Sequence, residues 1–147
     1  MTCIAALECS DGAIIGGDYC GSNGFTYNIV TQPKVFEHSN MLFGFTSTFR
    51  FGQIIEHILD NEPLYPPQSK PDVYRWLIKD FVPKLRKVLD ESKYNINDGC
   101  NAIMIISNQV WELQQDLSVL RYEAGLASVG SGAYHASVEH ESPRSDA

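Results

Sequence analysis

The chain has 147 residues, of which 44% are hydrophobic and 20% charged, and its formal net charge is −7. That length suits one domain, with a core that removes roughly two-thirds of the unfolded surface from water. The acidic balance argues against sequence-independent nucleic-acid binding, which needs a basic footprint, and gives an anionic membrane no purchase. No apolar run reaches the ~18 residues of a bilayer span, and no leader pattern opens the chain, so a cytoplasmic protein is expected.

Cys3, Cys9, Cys20 and Cys100 form no C-x-x-C pair, and His38, His57, His135 and His140 form no ligand-spaced motif. The cysteines read as small apolar groups in a reducing compartment, and no structural metal site is expected.

Taken in order, residues 2–9 read as a strand that begins with almost no lead-in, which ties the amino terminus into a sheet. Asp11-Gly12 predicts a hairpin turn, and Ala13 to Tyr19 the returning strand. Within it, Gly16-Gly17 permits close backbone approach, and Asp18 falls at the strand's end. Residues 20–31, rich in Gly, Ser, Asn and Thr, predict a loop. Short strands follow around Pro33–Phe36 and over Met41–Thr46, separated by Ser39-Asn40.

Ser47 or Thr48 is placed to cap a helix whose apolar face is Phe51, Ile54, Ile55, Ile58 and Leu59. A proline-rich connector, 63–71, leads to a longer helix with Ser69 as its cap. Val73, Leu77, Phe81, Leu85, Val88 and Leu89 form its buried stripe, widened by Trp76 and Val82. Pro83 predicts a kink near Lys79. Tyr94 to Gly99 reads as a turn.

The continuous apolar run Ala102 to Ile106 predicts a strand covered on both faces. Val110 to Leu113 pairs with it, Tyr122 to Val129 forms another strand, and Gly130-Ser131-Gly132-Ala133 opens a last helix. From Ser137 onward the chain is polar, so residues 137–147 are expected to be a disordered tail on a 2–136 domain. Strand pairs, two helices and more strand pairs suit a layered α/β (α+β) sandwich of antiparallel sheets faced by helices.

Three residues carry a joint chemical meaning. Thr2 opens the first strand, Asp18 ends the second and Lys34 sits on the third, and adjacent antiparallel strands bring such ends together. With Met1 removed, Thr2 holds a hydroxyl nucleophile and a free α-amine on one residue. That amine has an ordinary pKa near ~7.7–8.0, so it accepts a proton at neutral pH. An ammonium from Lys34 favours the neutral amine, and Asp18 compensates the lysine's charge. Threonine's β-branch narrows the directions its hydroxyl can take. Backbone N–H groups around Ser47 and Thr48, where a strand runs into a helix, suit an oxyanion. Ser131 is placed to hydrogen-bond the α-amine.

These pieces resemble the β-type subunits of the proteasome and the bacterial HslV protease, N-terminal-nucleophile hydrolases, and above all the shorter proteasome-like hydrolases of bacteria and phages. The matching segments are Thr2-Cys3-Ile4, Gly16-Gly17-Asp18, Pro33-Lys34-Val35-Phe36, Gly44-Phe45-Thr46-Ser47, Phe49-Arg50-Phe51-Gly52-Gln53 and Gly130-Ser131-Gly132-Ala133-Tyr134. Together they span residue 2 to about residue 136.

The resemblance implies a four-layer αββα sandwich, with Thr2 as nucleophile, Asp18 and Lys34 as supporting charges and Ser131 near the amine. It places the family's oxyanion glycine at Ser47-Thr48, where this chain has hydroxyl residues, and puts Cys20 where many members carry arginine. It implies a threonine-type peptidase that acts on peptides or proteins without a cofactor. The implied assembly is a homo-oligomeric ring, for which an ATPase unfoldase is a candidate partner. Members continue beyond the G-S-G segment, so this chain is expected to be short at its C-terminus, with an incomplete last helical layer and apolar sheet left open to association. Two rival readings are an amidohydrolase of small amides and a non-catalytic structural subunit.

Overall fold

The structure, a computed structural model, describes residues 3–22, 27–59 and 63–130. The 137–147 tail and the expected helix after Gly130 lie outside the described residues. Strand β1 (Ile4–Cys9) turns through Ser10-Asp11 into β2 (Gly12–Gly17), so Gly12 is the first residue of the returning strand. The segment read as a loop instead contains a small hairpin, β3 (Cys20–Ser22) with β4 (Tyr27–Ile29). Strands β5 (Val35–His38) and β6 (Met41–Phe45) follow. The two residues between them, Ser39 (φ 53°) and Asn40 (φ 63°), are both left-handed, as a tight hairpin turn requires.

Helix α1 (Phe49–Gln53) runs on through a π-helical turn at Ile54–Ile58. After a 3-10 turn at Lys70–Asp72, α2 (Val73–Trp76) passes through a second π-helical turn, Leu77–Phe81, into α3 (Val82–Glu91). The expected kink therefore takes this form. Pro83 cannot donate to Lys79, and the ladder widens just before it, with Val82 N bonding to Leu77 O. Ser69 precedes the 3-10 turn, but its side chain makes no capping bond.

Strands β7 (Ala102–Ile106) and β8 (Gln109–Leu113) join through left-handed Ser107 and Asn108. A two-residue strand, β9 (Val119–Leu120), falls outside every segment read as strand. The last strand, β10 (Leu126–Val129), is shorter than expected because Gly125 N bonds back to Tyr122 O in a turn.

Two antiparallel sheets stack, in the orders β10-β1-β2 and β5-β6-β7-β8-β9. All five residues of β7 are buried, and their alternation divides two cores. Ile103 and Ile105 pack between the sheets with Ile4, Ala6, Val110, Ala127 and Val129. Ala102, Met104 and Ile106 face the helices, whose stripe from Val73 to Leu89 is at most 1% exposed at its six predicted positions. Among the described residues the layers are helices, five-stranded sheet and three-stranded sheet. Cover for β7 is complete on both faces, as its apolar run predicts. The face left open by the described residues belongs to the other sheet, where Ala5, Leu7, Ile14 and Leu126 line an apolar depression of about 290 Å³. Ile14 is 63% exposed there. Among the described residues no helix is long and apolar enough to cross a membrane, and no group of three His, Cys, Asp or Glu could hold a metal.

Candidate active site

The register of the three-stranded sheet sets one end of the sandwich. Ile4 pairs with Gly17 on one side and with Val129 on the other. Asp18 therefore follows directly from the strand beside the start of β1. Its Oδ2 accepts the backbone N–H of Cys3 at 2.5 Å, the peptide nitrogen that follows Thr2 in the chain. Its Oδ1 accepts from Lys34 Nζ at 2.6 Å. The Lys34 side chain is 2% exposed and that of Asp18 32%, so the carboxylate is the wet end of the pair and the ammonium the dry one. A buried ammonium needs such a partner, since its desolvation is otherwise uncompensated. The Nζ also lies 5.7 Å from the centroid of the Phe49 ring, a cation–π distance.

The route by which Lys34 arrives differs from the expectation. It does not stand on a neighbouring strand of the same sheet. It precedes β5, at the edge of the five-stranded sheet, and meets Asp18 across the gap between the sheets. Gly17 makes the approach possible, because a Cβ there would lie 2.4 Å from Ile4 Cδ1 and 3.1 Å from Val35 Cγ2. Gly16, which was given the same role, has open space around it. Lys34 is also fixed through its backbone, where its carbonyl accepts Phe45 N at 3.0 Å.

Ser47 and Thr48 occupy the junction that follows β6. Thr48 is the cap of α1, and its Oγ1 accepts Phe51 N at 3.1 Å. Exposed Ser47 has φ +84°, a backbone conformation that favours glycine. This agrees with the position at which the resemblance places a glycine. Thr46 N donates to Asn101 O at 3.1 Å. Beside the junction, a cleft of about 290 Å³ is lined by Gln32, Phe45, Phe49, Arg50, Glu56 and His57, among others.

Thr2 and Ser131, the proposed nucleophile and the serine near its amine, lie outside the described residues. The structure thus brings together Asp18, Lys34 and the peptide nitrogen after Thr2, and ties Lys34 to Phe45 and Phe49, the residues that flank the Ser47-Thr48 junction in the chain. Phe49, which belongs to a segment matched in the resemblance, joins this neighbourhood, and so do Gly99 and Tyr94, which were not singled out. Only the turn reading of residues 94–99 touched those two, and no residue pattern marks a tyrosine in a turn as a tether.

No family model matches the sequence, and no curated protein does. Solved structures do. BPH from Thiobacillus denitrificans superposes with a TM-score of 0.74 at 14% identity, covering 92% of this chain and 75% of that one. HslV from Trypanosoma brucei gives 0.60 at 16% identity, with 92% and 75% covered. Anbu, the ancestral β-subunit, from Yersinia bercovieri gives 0.62 at 12%, with 90% and 61% covered. The chain has the fold these structures share, that of the proteasome-type N-terminal-nucleophile hydrolases.

Proposed function

We propose that the chain is a threonine-type peptidase that uses Thr2, freed by removal of Met1, as its nucleophile. The observation that carries this reading is the Asp18 carboxylate, which holds the Lys34 ammonium with one oxygen and the Cys3 amide with the other. The Lys34 ammonium is thereby held on a carboxylate that reaches the peptide bond after Thr2. It disfavours the protonated amine and leaves it free to act as a base near neutral pH.

The amine takes the Thr2 hydroxyl proton as Oγ1 attacks the scissile carbonyl carbon. The negative charge that develops on the carbonyl oxygen is met by backbone N–H groups at Ser47-Thr48. The protonated amine then gives its proton to the departing amine, leaving an acyl ester on Thr2. Water, losing a proton to the same amine, attacks the ester, releases the acid and restores Thr2. The cleft lined by Gln32, Arg50, Glu56 and His57 is large enough for a substrate side chain.

Thr2→Ala tests the assignment directly. Hydrolysis of a fluorogenic peptide panel should vanish while chain assembly and melting temperature stay as in the parent. An unchanged rate refutes the nucleophile. By likeness to the helically assembled Anbu complex from Pseudomonas aeruginosa, and to HslV, the working form is an assembly of identical chains in the cytoplasm, a ring in the simplest case.

A further inference from the structure

The junction that would hold the oxyanion is fastened from the opposite side by one tyrosine. Tyr94 Oη donates to Gly99 O at 2.5 Å, so in its 2.7 Å contact with Thr48 Oγ1 the threonine hydroxyl is the donor. Thr48 Oγ1 in turn accepts Phe51 N. The result is a single-direction relay, Phe51 N–H to Thr48 to Tyr94 to Gly99 O, in which each hydroxyl donates once and accepts once.

Two further ties reach the same segment from the same stretch of chain. Thr46 N donates to Asn101 O. Ser47 fills the space beside Gly99, where an added Cβ would lie 2.3 Å from Ser47 Cβ. The Tyr94 ring is 6.0 Å from that of Phe51, so it is seated independently of its hydroxyl. Burial pushes the Tyr94 hydroxyl above its usual pKa, in keeping with a hydroxyl that donates to Gly99 O.

We infer that Tyr94 is a positioning residue for the proposed reaction: through Thr48 and Gly99 it holds the left-handed Ser47 junction, and with it the backbone N–H donors, where the oxyanion forms. The inference rests on the peptidase reading given above. It does not make Tyr94 a catalytic group, since its hydroxyl is spent on Thr48 and Gly99. Its effect should therefore fall on the transition state, because a junction that drifts weakens the donors most when charge develops.

Tyr94→Phe keeps the ring and removes the relay. The expected result is kcat lower by about tenfold with KM within about twofold of the parent, after the rate is normalised to active sites by burst amplitude. Amide hydrogen exchange at Thr46 and Phe51, whose N–H groups are bonded to Asn101 O and Thr48 Oγ1 within this fastening, should accelerate by about tenfold in the same variant. Adding Tyr94→Phe to Thr48→Val should cost little beyond Thr48→Val alone, since both cut one relay.

An unchanged normalised kcat overturns the inference, as does a loss accounted for by a smaller active fraction, or full additivity of the two variants. Failure of the peptidase reading looks different. It leaves Thr2→Ala equal to the parent, while exchange at Thr46 and Phe51 still shows whether Tyr94 holds the junction.

Discussion

At the residue scale the structure separates charges that matter from those that merely occur. Asp18 and Lys34 each carry an ordinary prior of being solvated, yet Lys34 is almost fully buried and its ammonium lies 2.6 Å from the carboxylate. Asp18→Asn leaves that ammonium facing a neutral amide and should destabilise the fold by about 3 kcal/mol. Lys34→Met leaves a carboxylate that is one-third wet, so its cost should be roughly half that by the same reasoning. Urea denaturation of the two variants checks the order, and a larger loss for Lys34→Met would contradict it. Spacing and resemblance made this pair legible, but neither carried the information that the two residues come from different sheets.

The cysteines divide in the same way. Cys9 is exposed, Cys3 is intermediate and Cys100 is buried. Burial pushes the Cys100 thiol from its ordinary 9.0 up to about 11, and Sγ donates to Gln115 O at 2.9 Å. Below pH 9 both folded and unfolded chains hold this proton, and its contribution to stability is complete. Between 9 and about 11 the unfolded chain loses the proton first, so stability falls as the pH rises through that window. Urea midpoints from pH 8 to 11 should decline, less steeply in Cys100→Ala. An equal slope in both would remove Cys100 as the cause. The residual slope has a source in Tyr94, whose pKa burial also raises.

At the element scale, what the sequence made legible was set by period and length. The five-residue apolar run at 102–106 and the helical stripe from Val73 to Leu89 are long enough to average out local exceptions, and both appear as read. Pro83 marked its own consequence, because a missing N–H has few structural answers. The β3–β4 hairpin and β9 were not legible. Strands of two or three residues rich in Gly, Ser and Asn have no alternation to detect, and only pairing partners define them. The Ser47-Thr48 junction was legible as a strand-to-helix boundary, but its fastening was not, since Tyr94, Gly99 and Asn101 reach it from some 50 residues away.

Gly99 is the tightest point of that fastening. It has φ +109°, and Gly99→Ala would drive a Cβ to 2.3 Å from Ser47 Cβ and 2.4 Å from its Oγ. The variant should lose at least about 2 kcal/mol of stability and more activity than that loss explains. Gly16→Ala, with nothing within 4 Å of its added Cβ, should stay within about 0.5 kcal/mol of the parent. Thermal melts of the pair decide this, and equal losses would dissolve the distinction between a required glycine and an incidental one.

At the scale of the whole molecule, two stacked sheets bring the start of β1, the end of β2, the approach to β5 and the end of β6 to one edge. No two of these four sites adjoin in sequence. Helices pack only against the five-stranded sheet among the described residues, and the β10-β1-β2 sheet presents its apolar outer face without cover from them. The layered arrangement is the fold of BPH, HslV and Anbu. In this chain it is reached with 11–16% identity, so the shared fold rests on layer and register more than on particular side chains.

The central claim is that Thr2 is the residue acylated. Intact and fragment masses of the purified chain, taken after brief exposure to a slowly released peptide ester, test it most directly. The expected product is a chain that lacks Met1 and carries one acyl group, with the added mass on the fragment that begins at Thr2 and absent from Thr2→Ala. A retained Met1, or an acyl group found on exposed Cys9 instead, would contradict it.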